Sequence, residues 1–561
     1  MTGFLGKIEH KLKNVKALGV SNAWFIFKKR RKDLREYVNM VSPTEEEIKK
    51  MIADSRRRRT TFAVLLRSEG QMDEGKRAQT ASVVGQVYGK FHLYNVQVPG
   101  GERISGEGKI PGDEKIAGNE KIPEIGKTEA DCWNEAAAAC KEDYLVFCMG
   151  GVCLAPAALW KLAVTIDNTR ADLLYSDEIL NGQKLFKPDF GIDTFMDQNF
   201  LGGMLCIRRE TWEEMKGFDS NYAKGFLCDI ILRMYESGRQ IVHVPELLFS
   251  SENTGDSGAE KIGFQPEEKL IRIHREKLGM KDSPQGSPLV SILIPNKDHT
   301  EILDQCLRSI LQKSTYDNYE ILVIENNSEE QETFAYYEKL KSEKRVRVIT
   351  CVTGWNYSYI NNYGAKEAKG EYLLFLNNDT EVISPDWIEQ MLIFAQRPDV
   401  GVVGAKLFYP DGTIQHGGVT LGIRAVAGHA FHGAPGDSPG YMNRLITTQN
   451  LSAVTAACMM APAEVFRQVN GFDENYKVAF NDTDLCMRIR EKGYLIVFNP
   501  KVQLYHYESK SRGNDEQSQE KLERFNRESL RFQRQWCRQL TMGDPYYNKN
   551  LSVWSDGFEE A

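Results

Sequence analysis

The chain is predicted to have an α/β fold of two tandem domains of one design, the first degenerate, with helical N- and C-terminal extensions. Three observations predict this fold. Short apolar runs such as Tyr372–Leu376 alternate with stretches of helical periodicity. Segments of the first half recur in the same order in the second half, which indicates an internal repeat. Several apolar runs end abruptly in polar residues, as buried parallel strands do where a sheet binds its ligand.

Bulk composition narrows the class of protein. A chain of 561 residues and 63.8 kDa exceeds one ordinary hydrophobic core, and 41% hydrophobic with 27% charged residues is typical of a globular protein. The net charge of −7 argues against a general nucleic-acid binder. No apolar run is long enough to cross a bilayer, and the first residues lack a signal-peptide pattern. The eleven cysteines lack paired spacing, which favours reduced thiols in a cytoplasmic protein.

Residues 1–59 form a basic segment with a helical pattern. The aromatic run Trp24–Phe27 leads directly into the cationic run Lys28–Lys32. Aromatic and cationic residues side by side suit an anionic membrane face, so we predict peripheral contact with the inner face of the cell membrane. The alternative is a helix that packs on the next domain with solvated charges.

Residues 60–282 are predicted to form the first α/β domain. Phe62–Leu66 and His92–Val98 have the apolar character of strands. Residues 100–127 contain three successive six-residue copies, rich in glycine and charge, that cannot build a core. We therefore interpret them as a mobile surface loop without catalytic residues.

The internal repeat defines the second domain. The segment Asn134–Phe147 matches Asn362–Phe375 without a gap, and Gly217–Tyr222 matches Gly471–Tyr476. A Pro/Gly/Ser linker at Ser283–Pro288 separates the two copies. The second copy is therefore expected at residues 288–514, followed by a C-terminal helix and tail at 515–561 that packs against it.

Polar residues end the first two strands of the second copy. The strand that opens at Leu289 ends in Pro295, Asn296 and Lys297, and the strand Ile321–Ile324 ends in Glu325 and Asn326. Neighbouring strand ends of this kind form a nucleotide pocket in open α/β sheets. Glu325 is expected to accept hydrogen bonds from a base or a ribose.

The third strand end carries Asn377, Asn378 and Asp379. Amide and carboxylate oxygens are hard ligands, suited to Mg²⁺ or Mn²⁺ rather than to zinc. The alternative is a polar turn in which Asp379 caps the helix that begins near Pro385.

Further candidates lie toward the end of the second copy. Asp482 is the candidate general base, whereas Asp484, at the same helix start, is either an acceptor-side residue or only a cap. His506 follows the strand Val502–Tyr505, and Lys510 and Arg512 follow it as cations that could meet a phosphate.

His416 lies in a glycine-rich stretch, residues 416–432, between strand and helix. We interpret this stretch as a mobile acceptor-side loop.

Residues 289–512 resemble the family 2 glycosyltransferases, nucleotide-diphospho-sugar transferases of GT-A fold, and residues 60–255 resemble them weakly. The segments that carry the resemblance are Ser291–Lys297, Asn377–Asp379 in place of the DxD motif, Thr455–Met460, Gly471–Asp473, Asn481–Asp484 and Tyr505–His506. The tandem layout and the tail Asp544–Asn548 are similar to bacterial O-antigen, rhamnan and cell-wall polysaccharide transferases.

The resemblance implies a Mn²⁺ or Mg²⁺ ion, held by Asp379 and His506, that bridges the diphosphate of a UDP- or dTDP-sugar donor. It implies that Asp482 deprotonates a hydroxyl of a glycan or lipid-linked glycan acceptor, with inversion at the anomeric carbon. Asn377 and Asn378 depart from the family pattern, which has acidic residues in this motif, so metal affinity would depend more on His506 and the diphosphate.

The first copy lacks these groups. In the alignment, Asp379 falls within Met149–Val152, the Asn481–Asp482 pair falls on Leu227–Cys228, and His506 falls on Ser251. We infer a non-catalytic domain for docking or acceptor binding. The acidic segment Ser176–Glu178 is the alternative, a substitute metal site.

Two rival functions follow from the same pattern. A sugar-nucleotide pyrophosphorylase would need a glycine-rich, basic first loop, which Pro295–Asp298 lacks. A non-catalytic carbohydrate-binding or scaffold protein would not need Asp379, Asp482 and His506.

Overall fold

The computed structural model describes residues 43–68, 74–98, 127–222, 225–251, 268–507 and 519–561. The aromatic and cationic runs of residues 24–32, the repeats between residues 106 and 123, and Lys510 and Arg512 lie outside these ranges. The chain divides into two compact units, one with residues 1–190 and 198–274, the other with residues 191–197 and 275–561. Among the described helices, none combines the length and the apolar character that a membrane crossing requires.

Up to residue 280, strands and helices mostly alternate. In chain order they are α1 (Glu45–Ser55), β1 (Phe62–Ser68), α2 (Glu74–Val84), β2 (Phe91–Gln97), α3 (Glu129–Ala138), β3 (Tyr144–Cys148), β4 (Cys153–Leu154), α4 (Ala158–Thr169), β5 (Leu173–Leu180), β6 (Gln183–Leu185), α5 (Ile192–Asp197), β7 (Met204–Arg208), α6 (Arg209–Glu214), α7 (Phe226–Glu236), β8 (Ile241–Ser251) and α8 (Glu268–Lys277). The exceptions to the alternation are the consecutive strands β3 and β4, the hairpin of β5 and β6, and the consecutive helices α6 and α7.

The remaining elements build the second unit. They are β9 (Val290–Asn296), α9 (Thr300–Lys313), β10 (Tyr319–Glu325), α10 (Gln331–Leu340), β11 (Val346–Thr350), α11 (Tyr357–Glu367), β12 (Tyr372–Leu376), β13 (Thr380–Val382), α12 (Trp387–Ala395), β14 (Val400–Phe408), β15 (Ile414–His416), β16 (Val419–Leu421), β17 (Ala427–His429), β18 (Gln449–Leu451), β19 (Cys458–Pro462), α13 (Ala463–Gln468), α14 (Asn481–Glu491), β20 (Leu495–His506), α15 (Gln519–Gln535) and α16 (Cys537–Met542).

Both units contain one mixed sheet with the same strand order. The first sheet runs β2-β1-β3-β7-β5-β8-β4, and the second runs β11-β10-β9-β12-β19-β14-β20-β13. The two orders coincide strand for strand, except that the second sheet adds β11 at one edge. In both sheets, one antiparallel strand follows the run of parallel strands, as β7 beside β3 and β19 beside β12. The predicted tandem α/β fold is therefore confirmed.

The strand registers show which residues of the two units are equivalent. Phe147 pairs with Leu205 in the first sheet, and Phe375 pairs with Met459 in the second. Cys153 pairs with Ser250 on β8, whereas Glu381 pairs with Tyr505 on β20. Counting from these pairs along the short turns, Gly151 is the equivalent of Asp379, and Ser251 is the equivalent of His506. The structure thus supports the alignment drawn from the sequence at both positions.

The core explains why the strands of the second unit read as continuous apolar runs. Helices cover both faces of a mainly parallel sheet, so side chains on both faces of each central strand are buried. In β9 every residue from Val290 to Asn296 is buried, and Leu373 to Leu376 of β12 are buried as well. Ten of the eleven cysteines are buried and none of the eleven forms a disulfide, whereas Cys537 is exposed.

Candidate active site

Three strand ends of the second unit converge on one edge of the sheet. β9 lies between β10 and β12, with all three strands parallel, so their carboxyl ends meet at this edge. The amide of Asn378, after β12, donates to Asn296 Oδ1 of β9 at 2.7 Å. The backbone N–H of Asn326, after β10, donates to the carbonyl of Asn296 at 2.9 Å. The sequence therefore located the three polar strand ends correctly in one place.

Asp379 and His506 come together although 127 positions separate them in the chain. β13 follows Asp379 directly and pairs antiparallel with β20, so that Thr380 lies opposite His506. His506 Nε2 lies 3.3 Å from Asp379 Oδ1 and 3.2 Å from the Asn377 amide nitrogen. The Asp379 and His506 side chains are 6% and 7% exposed, so both are shielded from bulk water.

The pair fits two ligands of a hard divalent cation. Neighbouring ligands of an octahedral ion with bonds near 2.1 Å lie about 3 Å apart, close to the observed separation of carboxylate and imidazole. His506 Nδ1 is buried and has no hydrogen-bond partner in the described residues, so this ring nitrogen can still accept or donate one further bond. No group of three or more His, Cys, Asp or Glu ligands occurs in the part of the chain that the structure describes. An ion here would take its remaining ligands from water and a diphosphate, as Mg²⁺ usually does.

Asp482 lies in the first turn of α14, and its carboxylate is held by the backbone. Its Oδ2 accepts from the N–H of Ala456 at 3.1 Å, and its Oδ1 accepts from the N–H of Thr483 at 2.7 Å. The side chain remains half-buried rather than enclosed. A half-buried carboxylate held by two backbone donors has the fixed orientation that a general base needs.

The helix that presents Asp482 begins at a strained residue. Phe480 has φ of 62°, in the left-handed region that disfavours side chains, whereas the equivalent residue of α7 in the first unit is Gly225. The C-terminal helix α15 holds Phe480 in place through the rings of Phe525 and Phe532, each about 5.5 Å away. Glu528 of the same helix accepts from the N–H groups of the preceding residues 477 and 479. The C-terminal helix thus stabilises the turn that aims the candidate base.

The aromatic ring of Tyr357 lies among the same groups, and the sequence reasoning did not single it out. Its hydroxyl donates to the carbonyl of Ala456 at 3.0 Å. Burial raises the pKa of the Tyr357 phenol, and the carboxylates of Asp482 and then Asp379 raise it further. Both carboxylates therefore lie close to this hydroxyl, which stays protonated at neutral pH. The only sequence signal was a tyrosine directly after the helix cap Asn356, which reads as an ordinary core aromatic.

His416 is completely buried at the end of β15. Its Nε2 accepts from the N–H of Thr455 at 3.4 Å, and its Nδ1 lies 2.9 Å from His429 Nδ1. Burial lowers the pKa of His416 well below its ordinary value, and the nearby His429 and His506 oppose protonation further. A fully buried imidazole of this kind can support neighbouring residues of an acceptor site, but it has no exposed edge for direct contact.

The glycine-rich stretch around His416 differs from the mobile loop that the sequence suggested. The C-terminal tail is hydrogen-bonded to it: Phe431 N–H donates to the carbonyl of Asp556, and Arg424 N–H donates to that of Val553. The rings of Phe431 and Phe558 stack at 4.5 Å. Asp544 of the tail accepts from the N–H of residue 421 and from the hydroxyl of residue 452. The stretch is therefore a packed part of the second unit.

Asp484 is a structural residue, which corrects its assignment to the acceptor side. Its carboxylate is fully buried and accepts from Arg488 Nε, Gln535 Nε2 and Trp536 Nε1. The equivalent Asp229 of the first unit accepts from Arg233 Nε in the same way. Because both units keep this bond, it serves the packing of the helix. Its partners are side chains and the cap residue is Phe480, so Asp484 does not act as the helix cap that the sequence left open as the alternative.

The other predicted donor-binding residues occupy the strand ends with their side chains already engaged. Glu325 accepts from the N–H and the hydroxyl of Ser328 and from the Tyr337 hydroxyl, each at 2.6 Å. The Asn326 amide donates to the carbonyls of residues 351 and 353. Lys297 is exposed and pairs with Glu329 at 3.0 Å, and Pro295 is buried in β9. A nucleoside at Glu325 would therefore compete with internal donors, whereas Lys297 can reorient toward a phosphate.

The first unit fills the equivalent place with an internal ion pair. Ser251, the equivalent of His506, donates to Glu178 Oε2 at 3.0 Å. Lys187 Nζ lies 3.0 Å from Glu178 Oε1, and the two side chains are 0% and 1% exposed. Asp177 accepts from the N–H of Lys187 and lies 2.8 Å from His243 Nε2. The acidic segment 176–178 is therefore neutralised internally, which argues against the substitute metal site.

Register also refines the equivalent of Asp482. Helices α7 and α14 begin directly after Gly225 and Phe480, so Asp482 corresponds to Leu227, one residue before Cys228, to which the sequence alignment had matched it. Asn481 correspondingly matches Phe226 rather than Leu227. The conclusion is unchanged, because no carboxylate stands at that position.

Comparison with known proteins supports the interpretation of the second unit. Residues 291–469 match the family model described as Glycosyl transferase family 2, roughly a third of the chain. The uncharacterized protein y4gI of Sinorhizobium fredii is 36% identical over 457 residues, which cover 76% of this chain and 50% of the relative. The O-antigen biosynthesis protein RfbC of Myxococcus xanthus is 34% identical over 447 residues, with 75% of this chain and 34% of the relative covered.

A shorter match concerns a protein with a stated acceptor. The N-acetylglucosaminyl-diphospho-decaprenol L-rhamnosyltransferase of Mycobacterium tuberculosis is 27% identical over 153 residues, 26% of this chain and 50% of that relative. The chain spans between about a third and a half of the length of these curated relatives. The family match covers the strand ends and Asp379, and the sheet continues the same fold to His506. The second unit therefore contains a glycosyltransferase family 2 domain, and the first unit repeats the strand order of its sheet without Asp379, Asp482 and His506.

Proposed function

We propose that the second unit is an inverting, metal-dependent glycosyltransferase that moves a sugar from a UDP- or dTDP-sugar to a growing, lipid-linked surface polysaccharide. The observation that carries this proposal is the 3.3 Å pair of Asp379 and His506 at the strand ends, on the same edge as the backbone-held carboxylate of Asp482. The names of the relatives, O-antigen biosynthesis protein and decaprenol-linked rhamnosyltransferase, favour the polysaccharide and the lipid-linked acceptor.

The residues divide the reaction between them. Asp379 and His506 would hold Mn²⁺ or Mg²⁺, which neutralises charge on the departing diphosphate. Asp482 accepts the proton of the acceptor hydroxyl while the oxygen of that hydroxyl forms a bond to the anomeric carbon. The bond from that carbon to the diphosphate oxygen breaks, and the nucleoside diphosphate leaves with the electron pair. A single displacement of this kind inverts the anomeric configuration.

The first unit has a different role in this proposal. Gly151, Leu227 and Ser251 stand where the second unit has Asp379, Asp482 and His506, so the first unit supplies none of the three groups. We propose that it docks the enzyme or binds the acceptor. We also place the protein at the cytoplasmic face of the membrane, where a lipid-linked acceptor would be extended.

A thermal-shift panel tests the donor and the metal together. UDP-, dTDP- and GDP-sugars are added to the full-length protein with and without Mn²⁺, because a ligand that binds only the folded state raises its melting temperature. We expect a shift for a UDP- or dTDP-sugar that requires Mn²⁺. Asp379→Asn should lose the Mn²⁺-dependent part of the shift, whereas Asp482→Asn should keep it, since the base does not hold the donor.

Two results would contradict the proposal. A shift with GDP-sugars alone would exclude the proposed donors. An Mn²⁺-dependent shift that survives in Asp379→Asn would place the metal elsewhere.

A further inference from the structure

Tyr357 is not one of the proposed catalytic residues, but it is linked through Ala456 to the candidate base Asp482. Tyr357 is the first residue of α11, directly after the cap Asn356, whose side chain accepts from the N–H of Tyr359. The Tyr357 hydroxyl donates to the carbonyl of Ala456 at 3.0 Å, and the N–H of Ala456 donates to Asp482 Oδ2 at 3.1 Å. Ala456 is 2% exposed, so water does not replace either bond. The orientation of Asp482 therefore depends on a residue that Tyr357 fixes.

The Tyr357 hydroxyl lies near both carboxylates of the proposed site. Asp482 and Asp379 both raise the pKa of the Tyr357 phenol, after burial, which requires both to be near. A phenol kept protonated in this way is a permanent donor, and its acceptor is the Ala456 carbonyl. The Tyr357 ring also packs against Phe472 at 5.9 Å, which restricts its motion.

The degenerate unit provides an internal comparison. Helix α3 corresponds to α11, because the caps Thr128 and Asn356 match and because Asn134 exchanges the same two hydrogen bonds with Phe218 that Asn362 exchanges with Phe472. The equivalent of Tyr357 is then Glu129, whose carboxylate binds Arg67 and the Trp133 indole instead.

The first unit also lacks the residues that correspond to Ala456 and Asp482. The N–H of Met149 donates to the carbonyl of Gly203, as the N–H of Asn377 donates to that of Ala457. Gly202 therefore stands in place of Ala456, and Leu227 stands in place of Asp482. The unit that lost the base also lost the tyrosine, although it kept the neighbouring bonds of the helix.

We propose that Tyr357 is a positioning residue for the transferase reaction: its hydroxyl holds Ala456 so that the Ala456 N–H aims the Asp482 carboxylate at the acceptor hydroxyl. This inference rests on the proposed function. It assigns no contact with substrate to Tyr357 and predicts an effect on the chemical step alone.

Kinetics of the full-length protein with an acceptor and the donor found in the thermal-shift panel test the proposal. Tyr357→Phe should lower kcat about tenfold, the effect expected for one lost hydrogen bond, with the donor KM unchanged. Tyr359→Phe and Tyr363→Phe are matched controls on the same helix, because neither hydroxyl has a hydrogen-bond partner in the described residues. Both controls should retain the wild-type kcat.

A double variant separates positioning from general stability. If Tyr357 acts through Asp482, Tyr357→Phe combined with Asp482→Asn should be no slower than Asp482→Asn alone. A wild-type kcat in Tyr357→Phe, or an additive loss in the double variant, would overturn the proposal while the proposed function stands.

Hydrogen exchange keeps the proposal testable without turnover. The amide of Ala456 should lose protection in Tyr357→Phe but not in Tyr359→Phe, and unchanged protection would overturn the proposal. A wild-type protein that turns over no donor would count against the proposed function, and the exchange result would still decide whether Tyr357 fixes Ala456.

Discussion

The two units of this protein share a framework and differ in the groups that stand on it. Strand order, the hydrogen-bonded Asn–Phe pairs and the buried Asp–Arg pairs are the same in both. At the carboxyl edge of the sheet, the second unit has Asp379 facing His506, whereas the first has Gly151 and a serine bonded to a glutamate. The difference shows that this fold does not need the polar cluster for its own stability. We therefore attribute the Asp379–His506 cluster to function rather than to folding.

The first unit also shows what replaces such a cluster when it is lost. Lys187 donates to the carbonyls of Ser176 and Leu201, and its ammonium group lies 3.0 Å from the counter-charge of Glu178. In the second unit, the register places Leu407 where the first has Glu178. An internal cation and its carboxylate thus occupy the place that corresponds to the surroundings of Asp379 and His506 in the other copy.

The largest effect expected from this comparison concerns the base. Asp482→Asn should lower kcat by a factor of about 10² to 10⁴, the usual contribution of a general base, because an amide cannot accept the acceptor proton. Radiolabelled sugar transfer at saturating donor would measure it. The matched control is Asp189→Asn in the first unit, a half-exposed aspartate beside the buried acidic segment. A similar loss of activity in the control would contradict the assignment of the base to the second unit.

Much of this arrangement was readable from the sequence, because strands and repeats are local signals. The ungapped match of Asn134–Phe147 to Asn362–Phe375 already contained the shared helix and strand. The convergence of Asn296, Asn378 and Asp379 followed from the rule that parallel strands end at one edge. His506 could be paired with Asp379 through the resemblance to a known family, although their distance is a property of the fold.

Other features depend on contacts between distant segments and gave no local signal. The contact of Tyr357 with Ala456 joins residues from different elements, and neither residue type is unusual where it stands. Lys187 follows a short hairpin, where a lysine normally reads as a solvated residue, yet it is 0% exposed. The burial of Asp484 required α15, which the sequence showed only as a charged helix.

The second expected effect is on the stability of the first unit. Lys187→Met should cost about 3–5 kcal/mol, because it leaves the Glu178 carboxylate buried without a counter-charge. Lys187→Met combined with Glu178→Leu, the residue type of the second unit, should recover most of that loss. Chemical denaturation with amide exchange in β5 as the local reporter would measure both.

Transfer activity of the recovered double variant sharpens the comparison further. A folded first unit without its ion pair should leave kcat unchanged, since no group of that pair takes part in the proposed chemistry. A double variant no more stable than Lys187→Met would show that the site demands the ion pair itself rather than neutrality. A fall in kcat at full stability would give the first unit a part in catalysis.

The smallest expected effect is a difference in the pH dependence of stability at the two equivalent buried aspartates, Asp229 and Asp484. Burial opposes ionisation of both, but the hydrogen bonds from His274 and Arg233 hold the pKa of Asp229 below its ordinary 3.8. The partners of Asp484 include the neutral Gln535 and Trp536, and burial raises the pKa of Asp484 above the ordinary value. A second partner, the imidazole of His274, is thus what distinguishes the first unit.

The two shifts have opposite consequences for stability. A lowered folded-state pKa stabilises the fold above pH 3.8 and loses that contribution as the pH falls through the folded value, whereas a raised pKa removes stability as the pH rises from 3.8 toward the folded value. Each Asp→Asn change should cost about 1–3 kcal/mol through its hydrogen bonds. The cost of Asp229→Asn should be larger at about pH 5 than at about pH 3, and the cost of Asp484→Asn should be smaller at about pH 6 than at about pH 4. Amide exchange in α7 and α14 would report the stability of each unit separately. If the costs of the two substitutions changed with pH in the same direction, the pKa values of Asp229 and Asp484 would be shifted in the same direction, which would contradict the prediction.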